Sequence, residues 1–144
     1  MVDYPQYKGS MAFWEKVSPM PEVSETMPVL FNRYVCIIVS NAGDSNAELM
    51  KQAFNRVALD KYFHGFITSK ELDANKPSPA FFNGVIDKFN LSVSETFMIG
   101  NDYEKDITGA KNIGLKTIFI SEAQRDFPNA DYVVSSFGKL LDVL

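Results

Sequence analysis

The chain has 144 residues, 46% of them hydrophobic, with 14 basic and 18 acidic side chains and a formal net charge of -4. That is enough for one domain around one buried core, and without a run of Lys or Arg it offers no surface for nucleic acid or anionic lipid. Cys36 is the only cysteine, so no disulfide forms within the chain; with no apolar stretch near the roughly 20 residues that span a bilayer and no leader pattern in Met1-Val2-Asp3-Tyr4-Pro5, the sequence reads as soluble, untargeted and cytoplasmic.

The aromatic start (Tyr4, Tyr7, Phe13, Trp14) shows no regular spacing. Val23, Met27, Leu30 and Tyr34 then fall at helical intervals, with Pro28 among them costing about 3 kcal/mol unless the helix starts late or kinks there. Val35 to Val39 is an unbroken apolar run, the pattern of a parallel strand covered on both faces. Ser45-Asn46-Ala47-Glu48 reads as a capping box opening a helix, with Met50, Phe54 and Val57 on one stripe.

Phe66-Ile67-Thr68 suits a short strand. Ser78 as N-cap and Pro79 at the first helical position start a helix whose Phe82, Val85, Ile86 and Phe89 form the buried stripe. Thr96 to Ile99 makes the next strand, and Tyr103 to Ile113 a helix ended by Gly114. Thr117 to Ile120 and Tyr132 to Val134 are two further strands, and Phe137 to Leu144 closes the chain as a helix with Leu140, Leu141 and Leu144 inward. Strands alternating with helices at this spacing predict an α/β fold, a doubly wound parallel sheet with right-handed crossovers. The domain runs over residues 21–144, preceded by an irregular segment at 1–20.

In such sheets ligands gather beyond the carboxyl ends of the strands. Ser40 ends the first strand, and its hydroxyl, followed by the backbone amides of Asn41, Ala42 and Gly43, is suited to phosphate oxygens; taken alone, Ser-Asn reads first as an ordinary strand-to-helix turn. Lys76 precedes Pro77, which biases it toward an extended backbone from which an ammonium group reaches the pocket. Asp102 and Asp106 sit either side of one helical turn at a strand end, so both can point at one hard cation such as magnesium. Alternatively Asp102 caps the helix and Asp106 lies near its positive end.

Taken together, Ile38-Val39-Ser40-Asn41, Lys76-Pro77-x-Pro79 and Ile99-Gly100-Asn101-Asp102-x-x-x-Asp106-Ile107-x-Gly109-Ala110-Lys111-x-x-Gly114 resemble the haloacid dehalogenase (HAD) superfamily of hydrolases, most closely its phosphatase-like members. Receiver domains of two-component signalling differ, because there the acidic pair comes first and the lysine last. The resemblance implies a HAD-like Rossmannoid core. It gives Ser40 and Asn41 to phosphate binding, Lys76 to neutralising the nucleophile and phosphate, and Asp102 and Asp106 to magnesium, with Asn101 offering a carbonyl or orienting a water. The family commonly has Gly-Asp where this chain has Gly100-Asn101.

The family's first motif, Asp-x-Asp, supplies a nucleophile and a general acid-base. Asp3 has no strand before it and no second acid two residues on, so neither role transfers to it. The 1–20 segment reads instead as the remnant of a cap domain, with Phe13 and Trp14 covering the hole left by the cap or contacting another subunit. Because the nucleophile strand is central in the family's sheet, its loss leaves two strand edges whose unmet groups cost about 1–3 kcal/mol each. Direct pairing of the flanking strands, insertion of the N-terminal segment, or a strand from a second copy or complementary fragment would close the gap.

The sequence therefore predicts a phosphatase-type domain acting on phosphate or a small phosphorylated metabolite, with little or no turnover as an isolated chain. The alternatives are a non-catalytic anion-binding or protein-interaction module and, ranked below both, dehalogenation of a small halo-acid. His64 and Cys36 read as packing residues.

Overall fold

The computed structural model describes residues 22–41 and 46–144. The 1–20 segment, with Asp3, Phe13 and Trp14, the Ala42 and Gly43 amides, and Ser45 lie outside the described residues. Helix α1 (Val23–Arg33) buries Val23, Thr26, Met27 and Leu30 and contains Pro28. Burying Met27 and Leu30 contributes about 1.5–3 kcal/mol each, enough to offset the roughly 3 kcal/mol of an internal proline. Tyr34, expected on the buried stripe, instead ends the helix in an extended conformation and is 41% exposed.

Strand β1 (Ile37–Ser40) is buried throughout but starts two residues later than the apolar run implies, leaving Val35 57% exposed. Its start is set by the sole histidine. The Cys36 N–H donates to His64 Nδ1 at 3.0 Å, and the Cys36 carbonyl accepts the His64 N–H at 2.7 Å. Phe31 stacks on the imidazole at 4.3 Å between centroids. Val35 thus precedes the first paired position, and His64 is a packing residue.

Helix α2 (Ala47–Asn55) is capped by Asn46, whose side chain accepts the Leu49 N–H at 2.9 Å, so the cap falls one residue beyond the predicted Ser45. Met50, Ala53 and Phe54 are buried, while Val57 lies past the helix end. A 3-10 turn at Asp60–Tyr62 leads to β2 (Gly65–Thr68), which pairs in parallel with β1 and sets Ser40 opposite Thr68. A short helix α3 (Ser69–Leu72), absent from the sequence reading, begins in a capping box between Thr68 and Glu71. In α4 (Pro79–Lys88) the Ser78 hydroxyl accepts the Ala80 N–H; Phe81, Phe82 and Val85 are buried, a stripe turned toward Phe81 from the predicted one.

After a 3-10 turn at Val93–Glu95 and β3 (Phe97–Gly100), the predicted single helix is two: a π-helical turn over Tyr103–Thr108, then α5 (Gly109–Asn112). Gly114 follows at φ +91°, the left-handed region that favours glycine at a helix end. Strands β4 (Lys116–Ile120) and β5 (Tyr132–Val134) pair in parallel beside β3. The last segment, Phe137–Asp142, is a 3-10 helix rather than an α-helix; Phe137 and Leu140 are buried, Leu141 and Leu144 only partly.

The described strands form a β1–β2 pair and a β3–β4–β5 triplet. Both pieces feed the same two apolar layers. Ile38, Ile99 and Ile118 face α1 and α2, whereas Ile37, Val39, Ile67 and Met98 face α4 and Ala110 of α5. Helices cover both faces, as a doubly wound sheet requires. Direct pairing of β1 with β3, one of the closures considered above, is not how the sheet is built. No helix among the described residues is long and apolar enough to cross a membrane.

Candidate active site

Ser40 and Asn41 lie where β1 ends, Lys76 lies in the loop between α3 and α4, and Gly100 to Asp106 leave β3. A continuous hydrogen-bonded relay joins these three places. The Asn41 carboxamide accepts the Lys76 N–H at 2.7 Å and donates to the Lys76 carbonyl at 3.2 Å. The Lys76 ammonium donates to Asp106 Oδ1 at 2.7 Å, both side chains being almost wholly buried. Asp106 Oδ2 accepts the Asp102 N–H at 3.1 Å.

Asp102 in turn caps the π-helical turn, its Oδ1 accepting the Lys105 N–H at 3.0 Å. The capping role weighed from sequence is therefore real for Asp102. Asp106 is instead the counter-ion of Lys76. Burial pushes the Lys76 ammonium below its usual range, against the pull of Asp106 and Asp102 toward the charged form. The Ser40 hydroxyl, on a buried residue, donates to the Asn41 carbonyl at 3.2 Å. Asn101, next to Gly100, is exposed.

Two features were missed from sequence. The π-helical turn is buttressed by Tyr103, Phe119 and Phe127, whose rings lie 4.6–5.4 Å apart between centroids. Tyr103 also accepts the Asn129 N–H at 2.9 Å, and Asn129 Nδ2 donates to Thr108 Oγ1 at 3.1 Å. The aromatic residue directly after Asp102 was the only sequence signal for this clamp. Thr68, fully buried beside Ser40, caps α3 through Glu71; the spacing Thr68-x-x-Glu71 could have announced it.

Among the described residues no three His, Cys, Asp or Glu side chains group as a metal cage. Magnesium needs less than a cage, since it keeps several waters and takes one or two carboxylates plus substrate phosphate. Asp102, half-buried with an oxygen that no described donor occupies, fits that partial demand. A buried ammonium, a strand-end hydroxyl and a carboxylate at one edge are chemistry for holding a phosphate ester.

The chain's resemblance to known proteins agrees with this chemistry. A family model for haloacid dehalogenase-like hydrolases matches residues 3–120. The ribulose-1,5-bisphosphate 5-phosphatase of Halopiger xanaduensis is 26% identical over 144 aligned residues, covering 92% of this chain and 59% of the relative. The glyceraldehyde 3-phosphate phosphatase of Pyrococcus furiosus is 32% identical over 107 residues, covering 70% and 45%. Among solved structures, a HAD phosphatase from Thermococcus onnurineus superposes with a TM-score of 0.74 at 25% identity, covering 86% of this chain and 57% of that one. The chain spans about half the length of the curated relatives it matches. It belongs to the haloacid dehalogenase-like hydrolases.

Proposed function

We propose that this chain carries the phosphate- and cation-binding half of a phosphatase site for a small phosphate monoester, and that alone it turns over little or no substrate. The carrying observation is the buried Lys76–Asp106 pair at 2.7 Å, tied to the ends of both β1 and β3. In this reading the Ser40 hydroxyl and the Asn41 backbone face the phosphoryl oxygens, and Lys76 shares its protons between Asp106 and the phosphate. Asp102 is the direct magnesium carboxylate, with Asn101 beside it, while Asp106, whose two oxygens take Lys76 and the Asp102 N–H, sets the charge behind them. Magnesium, when bound, supplies charge neutralisation at the phosphate oxygens.

No Asp-x-Asp occurs anywhere in the 144 residues, so the covalent route through an aspartyl-phosphate has no nucleophile here. A strand bearing one, from another polypeptide or another part of a longer protein, would complete the site. A monodisperse, well-folded monomer in solution would count against that need. The names of the relatives suggest phosphorylated three-carbon and two-carbon acids or aldehydes as first substrates.

The test is phosphate release from glyceraldehyde 3-phosphate and phosphoglycolate in magnesium, beside the melting temperature in inorganic phosphate plus magnesium. The expected result is background turnover with a raised melting temperature, the rise being lost in Lys76→Met. Sustained magnesium-dependent hydrolysis that disappears in Asp102→Ala would overturn the claim of inactivity. The absent Asp-x-Asp also favours a second reading, a non-catalytic anion-binding or protein-interaction module; an unmoved melting temperature with a partner bound in its place selects the interaction form.

A further inference from the structure

We propose that Asn41 is a positioning residue of this site, holding Lys76 through its side chain rather than serving phosphate with it; this rests on the reading of Lys76 as the phosphate-facing ammonium. Lys76 sits in a loop between α3 and α4, so no neighbour within a described strand fixes its backbone. The Asn41 carboxamide supplies that neighbour. It accepts from the Lys76 N–H at 2.7 Å and donates to the Lys76 carbonyl at 3.2 Å, the acceptor and donor a paired strand residue would present.

With both its polar groups held, the Lys76 backbone gives its long side chain one starting point, from which the ammonium meets Asp106 on the far side of the relay. Asn41 therefore links the end of β1 to the element leaving β3, two strands that do not pair with each other. The geometry demands this side chain. Asp offers no donor when ionised, Ser and Thr present a single hydroxyl in place of the separate acceptor and donor, and Gln adds a methylene.

The test compares wild type, Asn41→Ala and Asn41→Asp in two assays. In the first, acetic anhydride labels lysines at neutral pH and peptide mass spectrometry follows Lys76 against exposed Lys51. Asn41→Ala should raise the labelling rate of Lys76 about tenfold, the effect of loosening one charge-assisted hydrogen bond, and leave Lys51 unchanged. In the second, calorimetry measures inorganic phosphate binding in magnesium. Asn41→Ala should weaken it about tenfold at pH 7.5 and at pH 4.5 alike. Asn41→Asp should weaken it at pH 7.5 but recover toward wild type by pH 4.5, because the Lys76 carbonyl facing the introduced carboxyl favours its protonated form, which again pairs one acceptor with one donor.

That recovery separates positioning from a merely structural part. Unchanged Lys76 labelling in Asn41→Ala, or wild-type phosphate affinity of Asn41→Asp at pH 7.5, would overturn the inference. Should Asn41→Ala fail to fold, the Asn41→Asp comparison decides alone. Should wild type bind no phosphate, the functional reading fails, while the labelling of Lys76 in both variants still decides the role of Asn41.

Discussion

Replacing Gly100 with alanine tests the packing on which the relay depends. A Cβ at that position would lie 2.5 Å from Asp106 Cγ and 2.6 Å from Asp106 Cβ, with Oδ2 also in collision. Carbon contacts prefer about 3.5–4.0 Å, so something must move by about 1 Å. The carboxylate has nowhere to go: Oδ1 holds the Lys76 ammonium, Oδ2 holds the Asp102 N–H, and Asp106 is 0% exposed. If the backbone of β3 yields instead, the cost is that of overpacking, about 1–3 kcal/mol. If the carboxylate swings away, Lys76 is left as a buried, poorly compensated charge at about 3–5 kcal/mol. The molecule takes the cheaper escape, which sets the expected loss at about 1–3 kcal/mol. Urea unfolding followed by circular dichroism should show a lower midpoint with an unchanged slope. A loss below about 0.5 kcal/mol, the scale of an indifferent surface change, would refute the packing argument.

Three more outcomes follow from the same contacts. In a double-mutant cycle, Asp106→Asn and Lys76→Met should each destabilise, and together should fall short of their sum by at least about 1 kcal/mol; additivity would mean the 2.7 Å pair is not coupled. Because burial holds Lys76 below its usual 10.5, the folded chain gives up that proton before the unfolded one does. Stability relative to Lys76→Met should therefore be level below the lowered value, rise with pH between that value and 10.5, and level off above it; a fall with rising pH would contradict it. Burial works upward on the Glu71 carboxyl, but the Thr68 hydroxyl and N–H and the Ala47 N–H outweigh it and hold the group below 4.5. Its advantage over Glu71→Gln, under about 1 kcal/mol for so exposed a group, should be complete above pH 4.5 and vanish as the pH falls through the lowered value. A gap independent of pH in urea midpoints would exclude this.

The strands were legible because each is a short, continuously apolar run, a signal that survives any tertiary detail. Ser78-Pro79 fixed the start of α4 for an equally local reason, a cap followed by a preset φ. Errors came where a distant partner decides. Val35 is as apolar as its neighbours, but His64, 28 residues from Cys36, sets where pairing begins. Phe81 and Ile86 compete for the same stripe on α4, and only the position of the neighbouring layer selects Phe81. The closing segment has helical spacing at Leu140, Leu141 and Leu144, yet it packs against α1 as a 3-10 helix.

At the site, residue types were readable and their division of labour was not. Asp102 and Asp106 are equivalent on a helical wheel, but one caps a turn and the other neutralises a lysine 30 residues away. Asn41 looked like part of a phosphate loop, and its side chain is taken up by Lys76. No periodicity encodes such cross-chain pairings.

On the proposed reading, the charges in the relay also set the order in which phosphate and magnesium are held. Lys76, Asp102 and Asp106 are one cation and two anions, so their formal charges leave one unbalanced negative at the strand ends. A phosphate dianion brought to Lys76 competes with Asp106 for the same ammonium and is repelled by Asp102. Coulomb energies between unit charges at 4 Å run to about 4 kcal/mol at the effective dielectric of a protein surface, so the imbalance is not negligible. A divalent cation on Asp102 reverses its sign. Phosphate alone should therefore shift the melting temperature little, magnesium alone modestly, and the two together by more than the sum of their separate shifts, with the excess lost in Asp102→Ala. Equal shifts from phosphate with and without magnesium would show that Lys76 serves the anion unaided, and the half-site would then be an anion pocket without a place for metal.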